Sequence, residues 1–111
     1  MKNIVGVEGE NLAKEFLIKN KYKILETNYV CAIGEIDIIA KHKQTIVFVE
    51  VKTRTSTKFG LPRESVTSFK QQKIKIVATN YLVSKKLTNS LCRFDVIDIL
   101  NGEITHIKNA F

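Results

Sequence analysis

Gly34-Glu35-Ile36-Asp37-Ile38-Ile39-Ala40 and Thr45-Ile46-Val47-Phe48-Val49-Glu50-Val51-Lys52 decide the fold. Two strand-length apolar runs are separated by the polar Lys41-His42-Lys43-Gln44, which predicts a β-hairpin. The second run is apolar on both faces. Ile46 and Phe48 share one face, and Val47, Val49 and Val51 the other, the pattern of a central strand covered on both sides. Only at its end does the pattern break, where Glu50 and Lys52 continue the Ile46 and Phe48 face.

Outward from this hairpin the chain supplies the remaining layers. Leu12, Ala13, Phe16 and Leu17 fall at helical spacing and predict a helix from about Glu8 to Lys19, followed by a strand over Tyr22 to Tyr29. On the other side, Thr53 to Gly60 is polar and basic and leads to Pro62, which predicts a loop. Phe69, Ile74, Val77, Ala78, Tyr81 and Leu82 predict a second helix from about Thr67 to Lys85, with Ser68 and Gln71 as its capping box. Arg93 to Leu100 and Glu103 to Lys108 predict two strands joined at Asn101-Gly102, a type I′ turn signal. The order α-β-β-β-α-β-β implies an α/β fold, a mixed β-sheet flanked by helices.

A length of 111 residues, 44% hydrophobic and 26% charged, fits a single globular domain, 1-111, and excludes a disordered or coiled-coil chain. The longest apolar run, Tyr29 to Ile33, is far shorter than the roughly 20 residues a membrane-spanning helix requires. The N-terminus lacks a secretory apolar core, so the expected location is cytoplasmic, with no membrane partner. Cys31 and Cys92 show no metal-ligand spacing and are expected to be buried small hydrophobes.

The net charge of +7 is concentrated. Lys41 to Lys75 holds nine basic residues against Glu50 and Glu64, whereas outside it positive and negative charges balance. Such a field suits a polyanion such as nucleic acid, or else is a solvated lysine-rich surface.

Pairing the hairpin through a four-residue loop sets Ala40 opposite Thr45, Asp37 opposite Phe48 and Glu35 opposite Glu50. Asp37, Glu35, Glu50 and Lys52 then share one face. Two adjacent carboxylates are unfavourable unless a cation compensates them, and carboxylate oxygens without nearby His or Cys match Mg²⁺ or Mn²⁺. Lys52 projects toward the same space, where an amine can orient a water or stabilise charge on a phosphate. The competing reading is a strand-end salt bridge between Glu50 and Lys52, with Glu35 and Asp37 in solvent.

Asp37 followed by Glu50-Val51-Lys52 resembles the PD-(D/E)XK nuclease pattern, with Ile36 in place of the nominal proline. Across nearly the whole chain the sequence resembles the YraN family of small bacterial proteins, regarded as predicted endonucleases related to Holliday junction resolvases. The matching pieces are Gly6-x-x-Gly9-Glu10-x-x-Ala13, Ile24-Leu25-x-x-Asn28-Tyr29, Gly34 to Ala40, Phe48-Val49-Glu50-Val51-Lys52-x-Arg54, Phe59-Gly60, Ser65-Val66 with Lys70 and Lys73, Arg93 to Ile97, and Asn109-Ala110-Phe111. Lys21 stands where the family usually has glycine.

The resemblance implies a restriction-endonuclease-like fold in which Asp37 and Glu50 hold the metal with the Val51 carbonyl, and Lys52 serves the attacking water. Glu10 matches an acidic residue that can join the metal shell, or is a helix N-terminal Glu favoured by the macrodipole. Glu35 is expected to support the metal ligands from behind. Arg54, Lys58, Lys70 and Lys73 are candidate phosphate contacts, Arg54 foremost because a guanidinium grips phosphate bidentately. The expected activity is metal-dependent endonucleolytic hydrolysis of nucleic acid, branched or structured DNA in particular. The alternatives are a nucleic-acid-binding module without catalysis on the same fold, or a protein-interaction subunit with a structural acidic cluster. A homodimer is expected by resolvase analogy alone.

Overall fold

A computed structural model describes residues 4–55 and 66–111, with side chains from Gly6 onward. The elements are α1 (Ile4–Lys19), β1 (Lys23–Val30), β2 (Glu35–His42), β3 (Thr45–Arg54), α2 (Ser68–Ser84), β4 (Leu91–Leu100) and β5 (Glu103–Ile107). The five strands form one sheet in the order β1-β2-β3-β4-β5, antiparallel except for the parallel β3–β4 pair that α2 connects. This is the expected mixed sheet, with β3 in its centre. Among the described residues, no helix is long and apolar enough to cross a membrane.

Apolar alternation along β3 divides the core in two. Ile46 and Phe48 pack with Ile39, Ile74, Val77 and Tyr81 under α2, while Val47 and Val49 pack with Ala13, Leu17, Ile97 and Ile99 under α1. Both faces are buried, which is why nearly every residue of β3 from Ile46 to Val49 is apolar.

Both helices end in the same way. Tyr22 N–H reaches the Leu17 carbonyl and Lys21 N–H the Ile18 carbonyl after α1; Leu87 and Lys86 do the same with Leu82 and Val83 after α2. These are Schellman ends, and each sets a lysine in the left-handed region, Lys21 at φ 70° and Lys86 at φ 58°. Glycine would fit Lys21's position without the Cβ penalty, which gives the departure from the family pattern a physical meaning.

Several expectations are corrected. The β2–β3 hairpin closes through two residues, Lys43 and Gln44, with His42 opposite Thr45 and Ile38 opposite Val49. A left-handed φ of 56° at Lys43 makes the tight turn possible. The pairing is therefore displaced by two residues, which preserves the faces of the paired residues Ile38 to His42 because side chains alternate there with period two. The cap of α2 is Thr67, whose Oγ1 accepts from Lys70 N–H at 3.2 Å, and Gln71 instead donates to the Val66 carbonyl. Leu12 and Phe69 point outward, at 41% and 69% exposure, because each helix buries a narrower stripe than its apolar residues suggest. Cys92 is exposed and Cys31 half-buried. Asn101 and Gly102, at φ 50° and 83°, make the expected turn into β5.

The terminal Asn109-Ala110-Phe111 is tied to β4. Ala110 N–H donates to the Phe94 carbonyl at 2.7 Å, and Phe111 stacks on Phe94 at 5.3 Å.

Candidate functional site at the parting of two strands

The site forms where β2 and β3 separate. Val49 faces Ile38 across the ladder, and the next pairs in register would join Glu50 to Asp37 and Val51 to Ile36, but pairing stops at Ile38. Two features turn β2 aside. Asn28 on β1 has φ 51°, between the Thr27–Ile38 and Tyr29–Ile36 pairs. Ile36 and Ile38, two residues apart, lie in opposite halves of the core, so the side-chain alternation is broken at Asp37. Asp37 fills the gap with its own carboxylate: Oδ2 accepts Val51 N–H at 2.9 Å. A side-chain oxygen thus takes the place of a strand carbonyl and leaves no orphaned backbone donor. In an extended strand a residue's N–H and C=O leave on the same side, so the Val51 carbonyl opens toward the same gap.

Glu50 precedes Val51 and points to the α2 side. Both carboxylates are buried, Asp37 at 6% and Glu50 at 7% exposure. Glu50 Oε1 lies 2.9 Å from Lys70 Nζ, which reaches down from the first turn of α2, and 3.7 Å from Lys52 Nζ. Burial first, and then the Asp37 carboxylate, push the Glu50 pKa up against the pull of the two lysines. Burial first, and then the neighbouring Lys70, hold the Lys52 pKa below the ordinary lysine value, against Glu50 and Asp37. Two carboxylates and two amines are thus packed together, with the like charges of each sign perturbing one another.

Two clefts meet at Asp37 and Glu35. One, of about 290 Å³, lies on the α2 side and is lined by Ile33, Glu50, Lys70 and Lys73 among others. The other, of about 490 Å³, lies on the α1 side and is lined by Val7, Glu10, Asn11 and Lys14. Glu10 is buried, at 8% exposure, and Glu35 is exposed. The adjacent Gly9 explains how α1 comes so close to the sheet: a Cβ there would lie 2.0 Å from Thr53 Oγ1. Among the described residues, no three His, Cys, Asp or Glu side chains stand together as a ready-made metal cluster. The hard donors at the gap are the Asp37 and Glu50 carboxylates with the Val51 carbonyl, and Glu10 lines the α1-side cleft with Asp37.

The expected phosphate contacts separate. Lys70 turns inward to Glu50, and Lys73 lines the cleft with its Nζ 4.6 Å from the Phe69 ring centroid. Arg54 Nε lies 2.9 Å from Asp98 Oδ1, an ion-pair distance, although its N–H is not aimed along the line to that oxygen. Lys58, Phe59 and Gly60 lie outside the described residues.

Two buried acids escaped the sequence reading. Asp98, 1% exposed, sits opposite Lys52 in the β3–β4 register and anchors Arg54. Asp95, fully buried, is gripped by Arg93 Nε at 2.8 Å, by His106 Nε2 at 2.7 Å and by Asn109 N–H at 2.9 Å. Arg93 also donates to the Tyr22 hydroxyl at 2.8 Å. Burial pushes the Asp95 pKa up, but the hydrogen bonds from His106, Arg93 and Asn109 outweigh it and hold the carboxyl below its ordinary value. This network ties β5 and Asn109 to β4 and to Tyr22 in the turn between α1 and β1. The signal that could have found both acids is aspartate inside Phe94-Asp95-Val96-Ile97-Asp98-Ile99, where a strand otherwise buried on both faces demands a partner.

Comparison with known proteins places this chain in a wider group. The family model described as "Uncharacterised protein family UPF0102" matches residues 9–99. The chain is similar to UPF0102 protein TTE1452 of Caldanaerobacter subterraneus subsp. tengcongensis, 51% identical over 99% of this chain and 96% of the relative. It is also similar to a UPF0102 protein of Caldicellulosiruptor bescii, 56% identical over 96% of each chain. A UPF0102 protein of Geobacter metallireducens is 50% identical over 96% of this chain and 91% of its own.

Proposed function

The chain belongs to the UPF0102 family, which is the YraN family of the motif comparison, and from its site we propose that it is a metal-dependent endonuclease hydrolysing phosphodiester bonds of structured nucleic acid. The observation that carries this reading is the pair of buried carboxylates, Asp37 and Glu50, at the parting of two strands with Lys52 and Lys70 against them. Two carboxylates in so dry a place repel one another, and the two lysines compensate Glu50 but leave room for a metal cation to compensate the pair.

The donor set fits a hard divalent ion. Mg²⁺ keeps several waters and is characteristically held by one or two carboxylates together with substrate phosphate oxygens, so two carboxylates and a backbone carbonyl suffice. Asp37, Glu50 and the Val51 carbonyl would hold Mg²⁺ or Mn²⁺, with Glu10 entering from the α1 side. Bound there, the ion supplies an acidified water and positive charge beside the scissile phosphate.

The protein's own groups do the rest. Val51 N–H fixes the Asp37 carboxylate through Oδ2. Lys70 compensates the Glu50 charge. Lys52, with its lowered pKa, is a suitable partner for the attacking water or for charge growing on a phosphate oxygen. Of the basic stretch, Lys52, Arg54, Lys70 and Lys73 lie at this end of the sheet and supply a positive field for a polyanion, while Lys41 and Lys43 lie at the far, hairpin end. DNA is the proposed substrate, and two copies of the chain would give paired incisions.

The test is cleavage of labelled single-stranded, duplex, flap and four-way DNA, and of RNA, with Mg²⁺, Mn²⁺ or EDTA. Metal-dependent products from the wild type, absent for Lys52→Ala, support the reading. Binding without products in every lane refutes it in favour of a non-catalytic binding module, in which the Lys70–Glu50 pair would be a structural ion pair.

A further inference from the structure

Phe69 is the most exposed large hydrophobic side chain among the described residues, at 69%, although its spacing predicts a core position. Its place on α2 is informative. With about 100° per residue and Ile74 facing the sheet, Lys70 lies about 40°, Lys73 about 100° and Phe69 about 140° around the same flank. A track therefore runs outward from the site: the Lys70 amine on Glu50 at 2.9 Å, the Lys73 amine lining the cleft, then the Phe69 ring with Lys73 Nζ 4.6 Å from its centroid. Ile33, 48% exposed, stands on the opposite wall of that cleft.

We propose that Phe69 and Lys73 form a stacking platform for an unpaired nucleobase next to the phosphate engaged at Asp37 and Glu50. The inference rests on the nuclease reading and names its substrate class: a strand with at least one base free to leave the stack, as at a flap, gap or branch point. The chemistry selects this occupant. An aromatic face accepts any base, an ammonium above it adds cation–π attraction, and the same lysine neutralises the neighbouring phosphate. A second copy of the chain is a poorer fit, because the Lys73 ammonium beside the ring would then face its own counterpart.

The experiment measures affinity by fluorescence anisotropy, in EDTA so that no strand is cut. Probes are flap DNA, the corresponding RNA, fully paired duplex, and the flap DNA with abasic sites throughout its single strand. Phe69→Ala is expected to weaken flap binding by about 5- to 150-fold, the range for loss of one stacked base, with Phe69→Tyr close to wild type. Against the abasic strand, the Ala variant and wild type should bind equally. Loss confined to RNA or to DNA identifies which polymer supplies the base.

Equal affinity of Phe69→Ala and wild type for the flap, or an equal loss on the abasic strand, overturns the stacking proposal. So does a switch from dimer to monomer in Phe69→Ala without loss of affinity, which would make the ring a contact between copies. In these cases salt-sensitive binding by the wild type leaves the nuclease reading standing. A wild type that binds none of the probes overturns both.

Discussion

Asp37 carries two separable tasks, and substituting it in two ways should divide them. As an acceptor, its Oδ2 satisfies Val51 N–H at 2.9 Å, in a position 6% exposed where water does not readily replace it. As a charge, it lies near enough to Glu50 to raise that carboxyl's pKa. Asp37→Asn keeps a carbonyl oxygen for Val51 and removes the like-charge repulsion, so folding stability should be unchanged or slightly higher. Asp37→Ala removes the acceptor and leaves a buried N–H unpaired, at a cost of about 1–3 kcal/mol. For a domain near this size, about 1 kcal/mol corresponds to roughly 4–8 °C, so Asp37→Ala should melt about 4–24 °C below wild type. Differential scanning calorimetry with urea unfolding as a check measures both variants, and cleavage should be lost in both. If Asp37→Asn is destabilised as much as Asp37→Ala, the negative charge itself holds the fold and the argument for a carboxylate maintained for chemistry fails.

Other outcomes follow from the same structure. Asp95→Asn should destabilise the fold by about 3–5 kcal/mol, since it breaks a buried ion pair and leaves Arg93 uncompensated, as urea unfolding would show. The Asp95 pKa is depressed on folding, so its stabilising contribution is complete above the ordinary aspartate pKa and is lost as pH falls through the folded value. Acid titration of wild-type stability, compared with Asp95→Asn, should reveal that loss; parallel pH profiles would contradict it. Gly9→Ala sets a Cβ 2.0 Å from Thr53 Oγ1 and should cost about 1–3 kcal/mol, with Thr53→Ala in the same chain recovering most of it because the remaining Cβ contact is 3.2 Å. Nucleic-acid affinity should fall linearly with salt on logarithmic axes, and a flat dependence would remove the phosphate contacts from the account.

The central strand and the layer order were legible because β3 repeats apolar residues on both faces, a pattern few other environments permit. The hairpin register was not, since Lys43-Gln44 lacks the glycine or asparagine that ordinarily marks a two-residue turn, and its left-handed φ of 56° is borne by a lysine. Asp37 meets Glu50 for a reason the pattern did not carry: β2 parts from β3 beyond Ile38, and the Asp37 carboxylate turns to the Val51 N–H beside Glu50. Asp95 and Asp98 illustrate the same limit: their partners, His106 and Arg54, come from strands brought together by pairing. Local periodicity has no access to such contacts. Phe69 misled through its hydrophobicity, since the helix buries Ile74, Val77, Ala78 and Tyr81 and turns the ring away.

The central claim is that Asp37 and Glu50 together bind a hard divalent cation. Anomalous diffraction at the manganese edge, from crystals of the wild-type protein and of Asp37→Asn grown with Mn²⁺, tests it most directly. The account predicts a manganese peak at the two carboxylates in the wild type and none in the variant. A wild-type map without that peak, with Lys70 still paired to Glu50, would contradict it.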